Sequence, residues 1–168
     1  MLLPAPLLNG VRREYQISHL FDVSPIDPTI PGERRLLGLV LPPWQRPEVW
    51  TVEQKVRFIE GVFLGLGTGY YVVHAPDWED SGKPKRMAGW LLDGQQRITA
   101  IRDFMADRFS IFDGVLFSSL DHGTARRRFL FQSFPCFEVT YTWDESLLRD
   151  LYDRLIFGGT PHTPDQRP

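Results

Sequence analysis

An apolar run that stops at Asp-Gly and resumes at once as a helix leaves this chain few ways to fold. It reads Gly89-Trp90-Leu91-Leu92-Asp93-Gly94-Gln95-Gln96-Arg97-Ile98-Thr99-Ala100. Trp90-Leu91-Leu92 has the make-up of a buried strand, and helical spacing of the apolar residues predicts a helix over 95–108. Gly94 alone joins them, and glycine turns tightly and lets other backbone approach. Such a junction points the first N–H groups of the helix, and its positive end, at one spot. That spot suits a phosphate. Arg97, one turn in, is placed to grip the same anion through two parallel hydrogen bonds. The plainer reading of the same residues is a strand–turn–helix whose polar groups only cap the helix.

The rest of the chain supplies elements around this junction. Thr51-Val52-Glu53-Gln54 has the form of a capping box, in which the Thr51 hydroxyl and the Gln54 amide satisfy each other's backbone. Val52, Val56, Ile59, Phe63 and Leu66 follow at spacings of four and three, one face of an amphipathic helix, with Gly67 expected to end it. Arg34 to Leu41 reads as one strand stopped by Pro42-Pro43. Tyr70-Tyr71-Val72-Val73 reads as another, and Ala75 to Arg86 as a polar loop between neighbouring strands. Ile98, Ile101 and Met105, with Phe104, mark the buried stripe of the helix after Gly94. Phe109 to Phe112 is expected as a short strand, Arg126-Arg127-Arg128 on a short helix over 121–131, and Pro135 to Tyr141 as a strand. A last helix over 145–156 is expected to start at Asp144 or Ser146. Residues 1–14 read as a loosely held arm. The expected organisation is an N-terminal arm, 1–30, and a single α/β (α+β) domain, 31–168, with a small mixed sheet flanked by helices.

Composition narrows the function. A net charge of −2 over 168 residues gives no global attraction to nucleic acid, so any DNA contact needs a local basic patch. Cys136 is the only cysteine, which excludes an internal disulfide and a cysteine-based zinc site and fits a reducing compartment. No apolar run approaches the ~20 residues of a membrane helix. The start, Met1-Leu2-Leu3-Pro4, lacks the basic and apolar regions of a secretory signal. A cytoplasmic protein with no membrane partner is expected. The histidines, His19, His74, His122 and His162, lack ligand spacing.

A second signal accompanies the first. Pro43-Trp44-Gln45-Arg46-Pro47-Glu48-Val49-Trp50 lies one helix and two strands before Asp93-Gly94-Gln95-Gln96-Arg97, and the pair resembles the N-terminal domain of GmrSD-type restriction enzymes. A third stretch, Asp153-Arg154-Leu155-Ile156-Phe157-Gly158-Gly159-Thr160-Pro161, is similar to that family's last motif, an Arg-x-Asn followed by Gly and Pro. The family attacks modified phage DNA and depends on nucleotide hydrolysis. More distantly it looks like the ParB/sulfiredoxin fold, in which a Gly-x-x-Arg turn holds nucleotide phosphates.

The resemblance implies a nucleotide site built from three motifs, with a nucleoside triphosphate as ligand or substrate and Mg2+ as cofactor. Gln45, Arg46, Gly94, Gln95, Arg97, Thr99, Arg154, Gly158 and Gly159 are the expected nucleotide-binding residues, and Asp93, Gln96 and Arg97 the expected catalytic ones. Asp93 has several open roles: metal ligand, orienter of the attacking water, partner of a nucleotide hydroxyl, or helix cap. Trp44 and Trp50 are expected to pack on the core. Ile156 stands where the family has Asn and offers neither donor nor acceptor, so a nucleotide site with altered or lost hydrolysis is the expectation. Sulfiredoxin chemistry needs a cysteine in the turn, which Gly94-Gln95-Gln96-Arg97 lacks. The expected role is the sensor or NTPase half of modification-dependent DNA restriction, in phage–host conflict or DNA metabolism. Two alternatives stand beside it: a non-catalytic module that binds DNA or a protein, as a restriction inhibitor or specificity subunit, and a standalone metal-dependent nuclease. Partners expected are a nucleotide, DNA, and a separate nuclease or host protein.

Overall fold

The computed structural model describes residues 2–158. Among them a four-stranded mixed sheet forms the centre, with helices on both faces and a separate two-stranded hairpin. The strands are β1 (Gly10–Arg13), β2 (Arg34–Leu36), β3 (Leu39–Leu41), β4 (Tyr71–His74), β5 (Leu91–Asp93) and β6 (Cys136–Val139). The helices are α1 (His19–Asp22), α2 (Val52–Phe63), α3 (Gln95–Met105), α4 (His122–Ala125) and α5 (Glu145–Phe157). Sheet order is β1-β6-β4-β5: β6 runs parallel to β4, and both outer strands run antiparallel to their neighbours.

Alternation along the central strands fills both faces. Leu91 of β5, with Tyr71 and Val73 of β4, joins Ile59 and Phe63 of α2, Ile98, Ile101 and Phe104 of α3, and Phe129 and Phe134 in one core. Trp90, Leu92 and Val72 face the other way, where Leu148 and Leu151 of α5 cover them. The expected α/β class with a small mixed sheet flanked by helices is therefore what forms, and β4 and β5 are neighbours joined by the polar loop.

The capping box closes as expected, with Thr51 Oγ1 accepting from Gln54 N at 3.2 Å and Gln54 Oε1 accepting from Thr51 N at 2.8 Å. Asp144, not Ser146, caps α5, accepting from the backbone N–H of both Ser146 and Leu147.

Other expectations need correction, and the reasons are non-local. Arg34 to Leu41 is not one strand but a hairpin, because Leu37 takes a left-handed φ of 55° and Gly38 folds the chain back. Helix α2 ends a turn early: Leu64 closes it and Gly65, φ 77°, rather than Gly67, turns the chain, so Leu66 is exposed. Arg128 helps end it there, its Nη2 donating to the Phe63 carbonyl at 2.6 Å. Phe109 to Phe112 forms a tight turn instead of a strand, with Phe112 and Asp113 both left-handed and Ile111 paired to Val115. The arginine triplet does lie on the expected short helical stretch, α4 continuing into a π-helical turn, Arg126–Leu130. Within residues 1–30, Gly10–Arg13 pairs with β6, and Ile17 and Leu20 enter the core. Gly159, Thr160, Pro161 and His162 lie outside the described residues.

Candidate functional site

The β5–α3 junction forms one wall of a pocket of about 90 Å3, lined by Gln45, Arg46, Trp50, Asp93, Gly94, Gln95, Gln96, Arg97 and Ile156. Residues remote in sequence thus meet where β5 ends, and each wall has a local cause.

Gly94 sits at φ 107°, which an L-residue with a side chain rarely adopts, and a Cβ there would lie 2.6 Å from Tyr71 Cβ. Both the turn and the closeness of β4 therefore require glycine. No side chain caps α3. Ile98 N is the first to bond within the helix, to Gly94 O at 2.9 Å, which leaves the N–H groups of Gln95, Gln96 and Arg97 without intrahelical acceptors at the pocket wall.

The two cations differ. Arg97 Nη2 donates to Asp93 Oδ2 at 3.0 Å and Nη1 to the Thr68 carbonyl at 3.3 Å, and Gly69 leaves the room its guanidinium occupies. The Asp93–Arg97 pair is about a fifth exposed on each side, so both groups keep some contact with solvent. The Arg46 guanidinium has no hydrogen-bond or ion-pair partner among the described residues; only its backbone N–H is held, by the Tyr152 hydroxyl at 3.4 Å.

The three glutamines divide their work. Gln96 Oε1 accepts from Val49 N and Trp50 N at 3.0 and 3.1 Å, and its Nε2 donates to the Pro47 carbonyl at 3.3 Å. It therefore fastens the loop after Arg46 to α3, and its amide is spent on structure. Gln45 Nε2 donates to the Leu91 carbonyl at 3.2 Å, while its Oε1 is buried with no partner among the described residues. Gln95 is buried, and neither amide atom has a partner among the described residues. Thr99 follows Gln95 by one turn; it is buried, its hydroxyl likewise unpartnered, and it lies outside the pocket lining.

Of the third motif, Ile156 lines the pocket and Arg154 does not: its Nε pairs with Asp150 at 3.0 Å on an exposed helix face. Gly158 closes α5 in an ordinary right-handed conformation, away from the pocket. Trp44 packs edge-on against Trp90 and Tyr152, anchoring α5 beside β3, while Trp50 both packs on Phe58 and lines the pocket. Sequence reasoning missed Tyr71 behind Gly94, the Thr68 carbonyl under Arg97, and the Tyr152 hydroxyl. The first two act through backbone or Cβ, which carry no residue-type signal.

A charged hub also escaped it. Asp103 of α3 is buried and contacts Lys55 at 2.7 Å, Arg102 at 2.8 Å and Arg108 at 3.2 Å. Burial pushes its carboxyl up, but hydrogen bonds from Lys55 and Arg102 outweigh this and hold it below the usual range. Elsewhere, burial pushes the Cys136 thiol up to about 12, leaving it protonated and unreactive. His74 is fully buried; its Nδ1 donates to the Met87 carbonyl at 2.7 Å and its Nε2 accepts from Thr142 N at 2.9 Å.

Among the described residues no three His, Cys, Asp or Glu side chains gather into a metal cage. Asp93 is the pocket's one carboxylate. That donor set fits Mg2+ carried in on substrate phosphates, which needs one or two carboxylates, rather than a resident ion. No helix among the described residues is long and apolar enough to cross a membrane.

Among the described residues, this mixed α/β domain thus brings an uncapped helix start, an arginine side chain without a partner and buried unmet amides to the walls of one pocket. The family model described as "GmrSD restriction endonuclease, N-terminal domain" matches residues 30–155, and the chain belongs to that family. No curated protein and no solved structure gives a significant match.

Proposed function

We propose that the pocket holds the phosphates of a nucleoside triphosphate, and that the chain serves as the nucleotide-dependent half of a restriction system directed at modified phage DNA. The observation that carries this is the uncapped start of α3, opening beside the guanidinium of Arg46, which has no partner among the described residues, in a pocket that also contains Arg97. Three backbone donors and two guanidiniums around one small space match the equatorial oxygens of a phosphoryl group and stabilise charge developing on them. Family membership supports the same reading. In it, Arg46 and Arg97 clamp phosphate oxygens, Gly94 lets them reach the backbone, and Gln96 positions the Arg46 loop. Asp93, released from Arg97 by the competing phosphate, orients water or meets Mg2+. Held there by Asp93, the ion would supply charge neutralisation for the phosphates.

Thermal-shift measurements with each ribonucleoside triphosphate and Mg2+ test the binding. A stabilisation that Arg97→Ala abolishes is expected, and no shift with any of the four at millimolar concentration overturns the reading. Phosphate release, with and without DNA, tests turnover, which Asp93→Ala should eliminate. Ile156 favours a second reading. Its side chain faces the pocket where the family's Asn would supply an amide, and binding without turnover would identify a nucleotide-gated DNA- or protein-binding module.

A further inference from the structure

We propose a second ligand site, in the cavity between β4, β6 and the chain at 15–26, that takes a small molecule with one aromatic ring and a protonated amino group, with Glu138 as the acceptor for the amine. This cavity shares no lining residue with the pocket at the β5–α3 turn, and the proposal does not rest on the phosphate reading.

The cavity follows from the pairing of β4 with β6. The strands run parallel with Tyr71 opposite Cys136 and Val73 opposite Glu138, so these four side chains share one face of the sheet. Tyr71, Val73 and Cys136 are buried and, with Leu20, make a largely apolar floor. Tyr15, His19 and Glu138 are only partly buried, and Val23 and Ser24 of the lining are exposed, so the space opens to solvent. Tyr15 stacks on His19 with ring centroids 3.6 Å apart, which fixes both rings at the rim. The volume is about 150 Å3. Protein interiors hold few voids larger than a water molecule, and an apolar cavity of roughly 150 Å3 accepts a benzene ring.

Charge selects the ligand. Burial lowers the pKa of His19 and raises those of Tyr15 and the Cys136 thiol, so all three are uncharged at neutral pH and Glu138 is the one ionised group in the lining. Beyond the effect of burial, the Glu138 charge also pushes up Tyr15, Tyr71 and Cys136, so its field reaches the floor as well as the rim. Arg13 Nη2 donates to Glu138 Oε1 at 3.3 Å, but Arg13 lies outside the lining and its side chain is nearly half exposed, so water screens this long pair. Oε2 has no partner among the described residues. An ammonium group on a ring seated over the floor donates to this carboxylate, whereas an anionic group in the same place is repelled by it.

Amide NMR spectra of the full chain, titrated with benzylamine, benzyl alcohol, benzoate or methylamine at millimolar concentration, test this. Benzylamine should cause saturable shifts centred on residues 15–24, β4 and β6. Benzyl alcohol keeps the ring and loses the charge, and should bind there about threefold or more weaker, the worth of a partly exposed ion pair. Benzoate and methylamine should cause no saturable shift at these amides. Glu138→Gln keeps the side chain's shape and should bring benzylamine down to the level of benzyl alcohol. Absence of saturable shifts at these amides with benzylamine overturns the proposal. Benzoate or benzyl alcohol binding as tightly as benzylamine overturns the choice of a cation, and methylamine doing so overturns the ring. The ligand series on the unaltered chain is decisive even if the variant fails to fold, and a preference for benzylamine that persists in a folded Glu138→Gln variant overturns that residue's part. None of these outcomes bears on nucleotide binding at the β5–α3 turn.

Discussion

Arg46 and Arg97 bring the same charge to the same pocket but stand on different footings. Arg97 is held by Asp93 and the Thr68 carbonyl, so its removal disturbs the fold as well as the ligand. Arg46 has no side-chain partner among the described residues, so its guanidinium is available to a ligand without first breaking a protein contact. Arg46→Ala should therefore weaken nucleotide binding by about tenfold or more, the worth of a charged hydrogen bond, while shifting stability by less than about 0.5 kcal/mol. Gln96 predicts the opposite profile. Its amide satisfies the N–H groups of Val49 and Trp50 and the Pro47 carbonyl, and leaving such groups unmet costs about 1–3 kcal/mol each. Gln96→Leu should lower stability by that order in a denaturant titration, and its binding defect should follow from a loosened Arg46 loop. A Gln96→Leu variant with wild-type stability and no activity would place the amide at the reacting atoms instead.

Among the elements, the β5–α3 turn depends most on a single residue. Gly94 combines a positive φ with a neighbour that leaves no room for a Cβ, and strained left-handed positions of this kind cost on the order of 1–3 kcal/mol. Gly94→Ala should lower the midpoint of urea unfolding accordingly and abolish the nucleotide-induced thermal shift, because the clash with Tyr71 can be relieved only by moving the start of α3 away from β4. Retained binding in that variant would show that the N–H groups of this turn do not touch the ligand. The α2 and α5 caps and the strand–glycine–helix junction were legible in the sequence because each is decided within a few residues, by side chains that reach their own backbone or by glycine's freedom to turn. The Leu37–Gly38 hairpin and the turn at Phe112 were not, since both hold non-glycine residues at positive φ that only their packing sustains.

At the scale of the whole molecule, acid should unfold the protein through its buried titrating groups. His74 uses Nδ1 as donor and Nε2 as acceptor, an arrangement only the neutral ring satisfies, and burial lowers its pKa against the opposing pull of the Met87 carbonyl. The unfolded chain, titrating near 6.5, then binds the proton more readily than the folded one. Stability from this group is complete above about pH 6.5 and is lost as pH falls through the lower, folded value. His19, also lowered by burial, acts in the same direction. Melting temperature should be flat above neutrality and decline on the acid side, with a shallower decline in His74→Gln. Asp103 contributes in a lower window: its depressed carboxyl stabilises the fold fully above its unfolded pKa, and this is lost as pH falls through the lower, folded value. Long-range associations of this kind, the Asp103 hub between α2 and α3 and the pairing of Gly10–Arg13 with β6, leave no periodic trace in the sequence, since they join residues more than forty and more than a hundred positions apart. The motif residues Gln45, Arg46 and 93–97 share one pocket, whereas Arg154 turns to solvent, a difference fixed by how α5 docks through Trp44 and Tyr152. The way Gln96 holds the neighbouring loop has an evolutionary side. It grips only backbone atoms of Pro47, Val49 and Trp50, while the side chains of Pro47 and Val49 are exposed and Glu48 pairs with Arg102 at 3.4 Å. Substitutions at 47 and 49 that keep this backbone in place can therefore accumulate without shifting Arg46, so the rim can vary while the pocket beside it stays constant.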